Sequence, residues 1–225
     1  MALGLLVSLA WRPSSPFTPG SNPEASQAAA IIDRLEAEQR QLKSSLAQVR
    51  QGLDERQQSA AANTDRLQAL QAELQRQRLL AGLVAVEGPG VVVTLDDSAV
   101  RVPPGADPNT YIIHEYDLRD IVNLLWMAGS EGIAINDERL VNNSSVYCVG
   151  STVLVNNTRL SPPYAIRAIG DSRVQQDYMR NPSYLKGLKD KERLYGLRFG
   201  VKSAARVTLP AYGGGFLIRY GRAGE

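Results

Sequence analysis

A long N-terminal coiled-coil helix followed by a compact α/β sandwich, α+β in class, is what this 225-residue chain predicts. Three observations predict it. A seven-residue apolar repeat runs without a slip from Ile32 to Ala81. Past Gly82 the pattern changes to short β-branched runs separated by Gly and Pro. One strongly amphipathic helix, with Leu118, Ile121, Val122, Leu125 and Ala128 on one face, sits between two of those runs.

The repeat defines residues 24–81. With Ile32 at position a, the apolar seam comprises Ile32, Leu35, Leu42, Leu46, Val49, Leu53, Leu67, Leu70 and Leu74. Ala, Leu, Gln, Glu and Arg dominate the segment, and all are good helix formers. A helix this long cannot bury such a stripe alone, so it needs a partner helix. Pairing with a second copy or a paralogue is the first expectation. A solitary helix laced by charge pairs, or an antiparallel hairpin bending near Gln57 to Asn63, uses the same residues differently. Arg56 and Asn63 at seam positions, with Gly52 just before, make the middle the weakest stretch.

Upstream, Ala2 to Trp11 is apolar and uncharged. It is shorter than the roughly 20 residues a spanning helix needs. Residues 1–12 are therefore expected to be the outer part of a membrane anchor. That would make the protein a single-pass component of the cell membrane with its C-terminal domain extracytoplasmic. Residues 13–23 hold four prolines and form an extended linker.

Residues 82–225 are expected to form one α+β domain. Leu83–Val86 and Val91–Leu95 read as two strands about a Gly-Pro-Gly turn. The helix after Asp117 ends at Gly129, and Ile133–Ile135 follows as a strand. Ser145–Val155 is β-rich and broken at Gly150. Tyr164–Ile169 is a strand, 174–193 is two helical pieces broken at Asn181-Pro182, and Leu197–Leu209 and Phe216–Tyr220 close as strands. Two strand–helix–strand units on one sheet fit a ferredoxin-like topology with an inserted hairpin.

Charge and chemistry narrow the function. The formal net charge of +2 argues against nucleic acid as a partner. It hides an asymmetry of −7 over 81–157 against +8 over 158–225. One Cys and one His leave no metal-ligand cluster, and no cofactor motif is present. Gly213-Gly214-Gly215 lacks the Lys-Ser/Thr of a P-loop. The adjacent acid pairs Asp96-Asp97 and Asp137-Glu138 point to opposite faces if extended, so neither forms an acid–base dyad. The polar residues Asn136, Asp137, Arg139 and Arg167 form the one candidate binding site, for a polar or anionic ligand. A tight turn that bonds its own backbone explains the same residues more simply.

The run from Asp117 to Leu140 resembles the central motif of the YlxW-like bacterial envelope proteins, whose domain is of the unknown-function DUF881 type. Tyr147–Gly150, Val153–Asn156, Pro162–Asp171 and Val207–Tyr212 are similar to later blocks of that family, in order. Ser130 and Gly132 stand where alanines are more usual. The resemblance implies a membrane anchor, a coiled coil and an exported domain linked to cell division, and it carries over no catalytic residue. The expectation is a non-enzymatic, membrane-anchored scaffold that binds an envelope or division protein. The alternative is an extracytoplasmic ligand-sensing module.

Overall fold

The computed structural model describes residues 23–60 and 65–222. Helix α1 spans Pro23–Ala60 and helix α2 spans Asp65–Leu80. Proline suits a first helical turn, where its missing N–H removes no bond. Through Leu42, α1 forms a unit of its own. It is laced by the i,i+4 pairs Arg34–Glu38 and Arg40–Glu36 and leaves Ile32, Leu35 and Leu42 exposed.

The second unit begins at Lys43. Helix α2 ends in a Schellman motif. The Leu83 N–H bonds Arg78 O and the Gly82 N–H bonds Leu79 O, with Gly82 at φ 72°. Gly82 thus closes a helix rather than opening a strand. A single strand, β1 (Val86–Asp96), then runs straight through Gly88-Pro89-Gly90. The expected two strands are one, because β1 is paired along both edges. It meets β7 (Tyr164–Ile169) on one side and β8 (Arg198–Leu209) on the other, both antiparallel. The turn residues are absorbed as a bulge: β8 carries one more residue than β1 between Gly88↔Val207 and Gly90↔Ala204.

Helix α3 (Glu115–Met127) follows. Its N-cap is His114, not Asp117. Asp117 is the third helical residue, and its Oδ2 accepts the His114 N–H at 3.0 Å. The hairpin β2 (Gly132–Ile135) and β3 (Glu138–Leu140) completes a five-stranded antiparallel sheet in the order β3-β2-β7-β1-β8. A separate meander, β4 (Val146–Val149), β5 (Thr152–Val155) and β6 (Thr158–Leu160), is inserted before β7. Helices α4 (Ser172–Arg180) and α5 (Lys186–Tyr195) lead into β8. Asp171 caps α4 by accepting the Arg173 and Val174 N–H groups.

The architecture is therefore α+β, a long helix followed by an antiparallel-sheet domain. Its core lies between the sheet and α3. Val91, Val93, Leu95, Ile133, Ile135 and Ile166 face Leu118, Ile121 and Leu125, and Val153 and Val155 of the inserted meander join them. The Ser130 hydroxyl bonds Leu125 O at 2.7 Å and accepts the fully buried Gln175 amide at 2.9 Å. That gives a physical reason for a serine where an alanine is more usual.

Two further expectations are corrected. Phe216–Tyr220 is not a strand: it has no ladder partner, and Leu217, Ile218 and Tyr220 stand exposed. Among the described residues no helix is long and apolar enough to cross a membrane, since α1 and α2 are studded with Gln and charge. The single-pass, extracytoplasmic placement is accordingly set aside. The anchor expected over residues 1–12 and most of the 13–23 linker lie outside the described residues.

Candidate functional site

Of the four polar residues the sequence singles out, three close a turn. Asn136 sits at φ 49° between β2 and β3. Its N–H donates to Ala165 O and its Oδ1 accepts the Ala165 N–H, each at 2.8 Å. A side chain thus completes the β2–β7 ladder where the backbone turns away. The Arg167 guanidinium donates to Asn136 O and to Asp137 Oδ1. It clamps this hairpin, so the three residues are engaged by one another and by Ala165 of β7.

Arg139 goes elsewhere. On β3, opposite Ala134, its side chain lines a cavity of 630 Å³ whose walls include Leu80, Trp126, Glu131, Asn142 and Phe216. Arg139 is only 6% exposed. Its Nη1 lies 3.4 Å from Pro210 O, at the long end of a hydrogen bond, and its Nε has no partner. Burial lowers its pKa from the ordinary arginine value. One glycine makes room for it: a Cβ on Gly132 would stand 2.9 Å from Nη2. The glycine at 132, the second departure from the family pattern, follows from this side chain.

A second polar centre joins α3 to α5. Lys191 Nζ reaches Asp117 Oδ2 at 2.8 Å and Oδ1 at 3.2 Å, and the Tyr116 hydroxyl at 2.8 Å. Burial pulls the ammonium pKa down, but the hydrogen bonds to Asp117 and Tyr116 together outweigh it and leave the value raised. Elsewhere on α5, Lys189 bonds Asn181 O and Arg193 pairs with Asp190.

Tyr164, in the core, is pushed up to about 12 by burial first and then by the nearby Asp97 and Cys148. Both groups have folded pKa values above their unfolded ones, about 10 for Tyr and 10.4 for Lys. The unfolded chain then releases these protons first as pH rises. The Tyr164 contribution is full below pH ~10 and lost as pH rises to about 12, and that of Lys191 is lost as pH rises past its unfolded value. Urea midpoints should therefore hold steady to mildly alkaline pH and then fall, and Tyr164→Phe should reduce the slope of that fall.

The sequence gives little warning of a third arrangement. Lys43 Nζ bonds Glu138 Oε1 and Thr158 Oγ1, each at 2.7 Å. Arg50 donates to Tyr212 O at 2.9 Å and to Gly214 O at 2.8 Å, and Asp54 pairs with Arg78 of α2. Residues 43, 50 and 54 form one helical stripe, so one polar face of α1 is strapped to the sheet domain. The only signal would have been that spacing on a face beside the apolar seam. Within this stretch the seam is open: Val49 is 69% exposed and Leu53 51%, while Leu46 is half-buried. On α2, Leu67, Leu70 and Leu74 are exposed too.

Among the described residues no three His, Cys, Asp or Glu side chains could hold a metal. Cys148 is half-buried, and burial and the Glu115 carboxylate raise its pKa. A raised thiol is a poor nucleophile.

Residues 73–222 match the family described as "Bacterial protein of unknown function (DUF881)". UPF0749 protein YlxW of Bacillus subtilis is 36% identical over 102 residues, covering 45% of this chain and 44% of its own. UPF0749 protein Rv1825 of Mycobacterium tuberculosis is 36% identical over 158 residues, covering 68% of this chain and 49% of its own. The chain spans about half the length of the curated relatives it matches. A crystal structure of an uncharacterized conserved protein from Mycobacterium tuberculosis aligns with a TM-score of 0.53 and 30% identity, over 67% of this chain and 99% of that one. None of these names carries an enzymatic activity or a role in division or the envelope, so the functional labels expected from the resemblance are withdrawn.

Proposed function

We propose that this chain, which belongs to the DUF881 family of bacterial proteins, is a non-enzymatic interaction protein that pairs with a second copy of itself through α1 and α2. One observation carries the reading. Along α1 from Lys43 onward the polar stripe of Lys43, Arg50 and Asp54 is engaged, while Val49 and Leu53 of the apolar seam are exposed. An apolar stripe left open on a helix whose other face is occupied favours a coiled coil with a partner helix. The balanced charges around the seam, eight acids and eight bases from Glu24 to Arg78, favour a like partner. The sheet order β2-β7-β1-β8, with two β-α-β units, supports a ferredoxin-like reading of the domain so displayed.

Sedimentation equilibrium of the full chain tests this. The weight-average mass should rise from monomer toward dimer across the micromolar range. Each seam side chain buried is worth about 1.5–3 kcal/mol. Leu42→Glu with Val49→Glu should then weaken association by at least ~100-fold, and Gln48→Glu, off the seam, should leave it unchanged. A monomer at every concentration, or an undiminished dimer in the double variant, would overturn the proposal.

A further inference from the structure

We infer that the cavity lined by Arg139 is a binding site for a monocarboxylate carried on an apolar or aromatic body. The inference is independent of the self-association reading.

A cation removed from water costs several kcal/mol unless a counter-charge or full hydrogen bonding replaces the lost hydration. Arg139 has neither. It is over nine-tenths buried, no carboxylate lies within ion-pair distance among the described residues, and its hydrogen-bonding capacity is met by one long contact to Pro210 O. Arginine has five N–H donors and keeps its proton at any ordinary pH, so burial cannot be relieved by neutralisation. The carboxylates beside it in sequence, Asp137 and Glu138, are otherwise engaged. Glu138, its neighbour on β3, is taken by Lys43, Thr158 and Asn156, and Asp137 is held by Arg167.

The surroundings are built to hold this side chain in place. Gly132 leaves space that its guanidinium occupies, and Leu209 Cδ1 would also crowd any Cβ at 132. The guanidinium plane suits two-pronged recognition of a carboxylate. At 630 Å³ the cavity falls in the range of small-molecule sites. Its wall chemistry sets the rest of the ligand. Trp126, Phe216, Leu80 and Leu140 offer apolar surface to the body of the acid. The Glu131 carboxylate also lines the cavity and, facing a single guanidinium, disfavours a dianion such as a phosphate monoester. Asn142 supplies an amide at the wall.

Titration calorimetry and thermal melts of the full chain with matched probes test this: phenylacetate, phenylacetamide, indole-3-acetate and phenyl phosphate. The acids should bind and raise the melting temperature. The uncharged amide should bind at least ten-fold more weakly than phenylacetate, and phenyl phosphate should also be weaker. Arg139→Met should abolish the acid's binding while melting at the same temperature as the native chain or higher, because it removes an unpaired buried charge. A purely structural arginine would instead lower the melting temperature on substitution. Trp126→Ala, at a half-exposed ring, should weaken indole-3-acetate and keep the fold. Absence of acid binding to the native chain, equal binding of acid and amide, or undiminished binding to Arg139→Met would overturn the inference. The acid–amide comparison needs no variant, so it decides the matter even if a substitution disturbs folding.

Discussion

Gly90→Ala should severely destabilise the sheet domain. Gly90 is buried in the middle of β1, where that strand pairs with β7 and β8 together. A Cβ there would lie 1.9 Å from Ala168 O, 2.9 Å from its carbonyl carbon and 3.0 Å from Ile169 Cα. All three are backbone atoms of β7, so no rotamer change relieves the clash. β1 must separate from β7, which also endangers the Gly170 N–H bond to Pro89 O. Overpacking of this kind costs about 3 kcal/mol or more, against a total stability of about 5–15 kcal/mol for a domain. Gly200→Ala is the matched control. Gly200 sits opposite Thr94 on β8 and a Cβ there meets nothing within 4 Å. That substitution should be neutral or add about 0.4–1 kcal/mol. Urea unfolding followed by circular dichroism compares them; equal midpoints for the two alanine chains would contradict the β1 geometry.

Asp117→Ala should be nearly as severe. Asp117 is 4% exposed and does two things at once: it accepts the His114 N–H at the start of α3, and it neutralises Lys191 from α5. Truncating one member of a buried pair leaves the other charge stranded, at about 3–5 kcal/mol. Lys191 keeps 16% of its side chain in contact with water, which places the loss toward ~3 kcal/mol. Lys191→Met should cost less, because Asp117 retains its helix-capping bond and the methionine keeps the packing of the lysine stem. The double variant should be more stable than Asp117→Ala alone, since it no longer buries an unpaired ammonium. A loss from Asp117→Ala no larger than that from Lys191→Met would contradict the assignment.

The parts of the fold legible in the sequence are those where local chemistry and tertiary packing agree. The β-branched alternation at Tyr164–Ile169 marks β7 to the residue, the stripe from Leu118 to Ala128 marks the buried face of α3, and Asn181-Pro182 marks the break between α4 and α5. Where packing overrides local preference, the sequence misleads. Gly-Pro-Gly is turn chemistry, yet two flanking strands supply enough ladder bonds to draw it into β1. Phe216–Tyr220 has strand composition and pairs with no strand.

The candidate site divides in the same way. Asn136, Asp137 and Arg167 were legible as polar residues near a strand end. Only the β2–β7 register shows that they bond one another. Arg139 was legible as a residue but not as a buried one, because alternation along three residues of β3 gives no sign of the cavity beneath. Lys43 and Arg50 read as ordinary coiled-coil surface charges. Their partners lie 95 and 162 residues away in sequence, beyond any local pattern.

The central claim is that the exposed seam of one chain meets the seam of another. Chemical cross-linking through that seam tests it most directly. In a Cys148→Ala background, a Val49→Cys chain treated with a short bis-maleimide should give a covalent dimer at micromolar concentration. A Gln48→Cys chain, with its thiol on the outer surface one residue away, should remain monomeric. Equal cross-linking of the two chains, or none in either, would contradict the account.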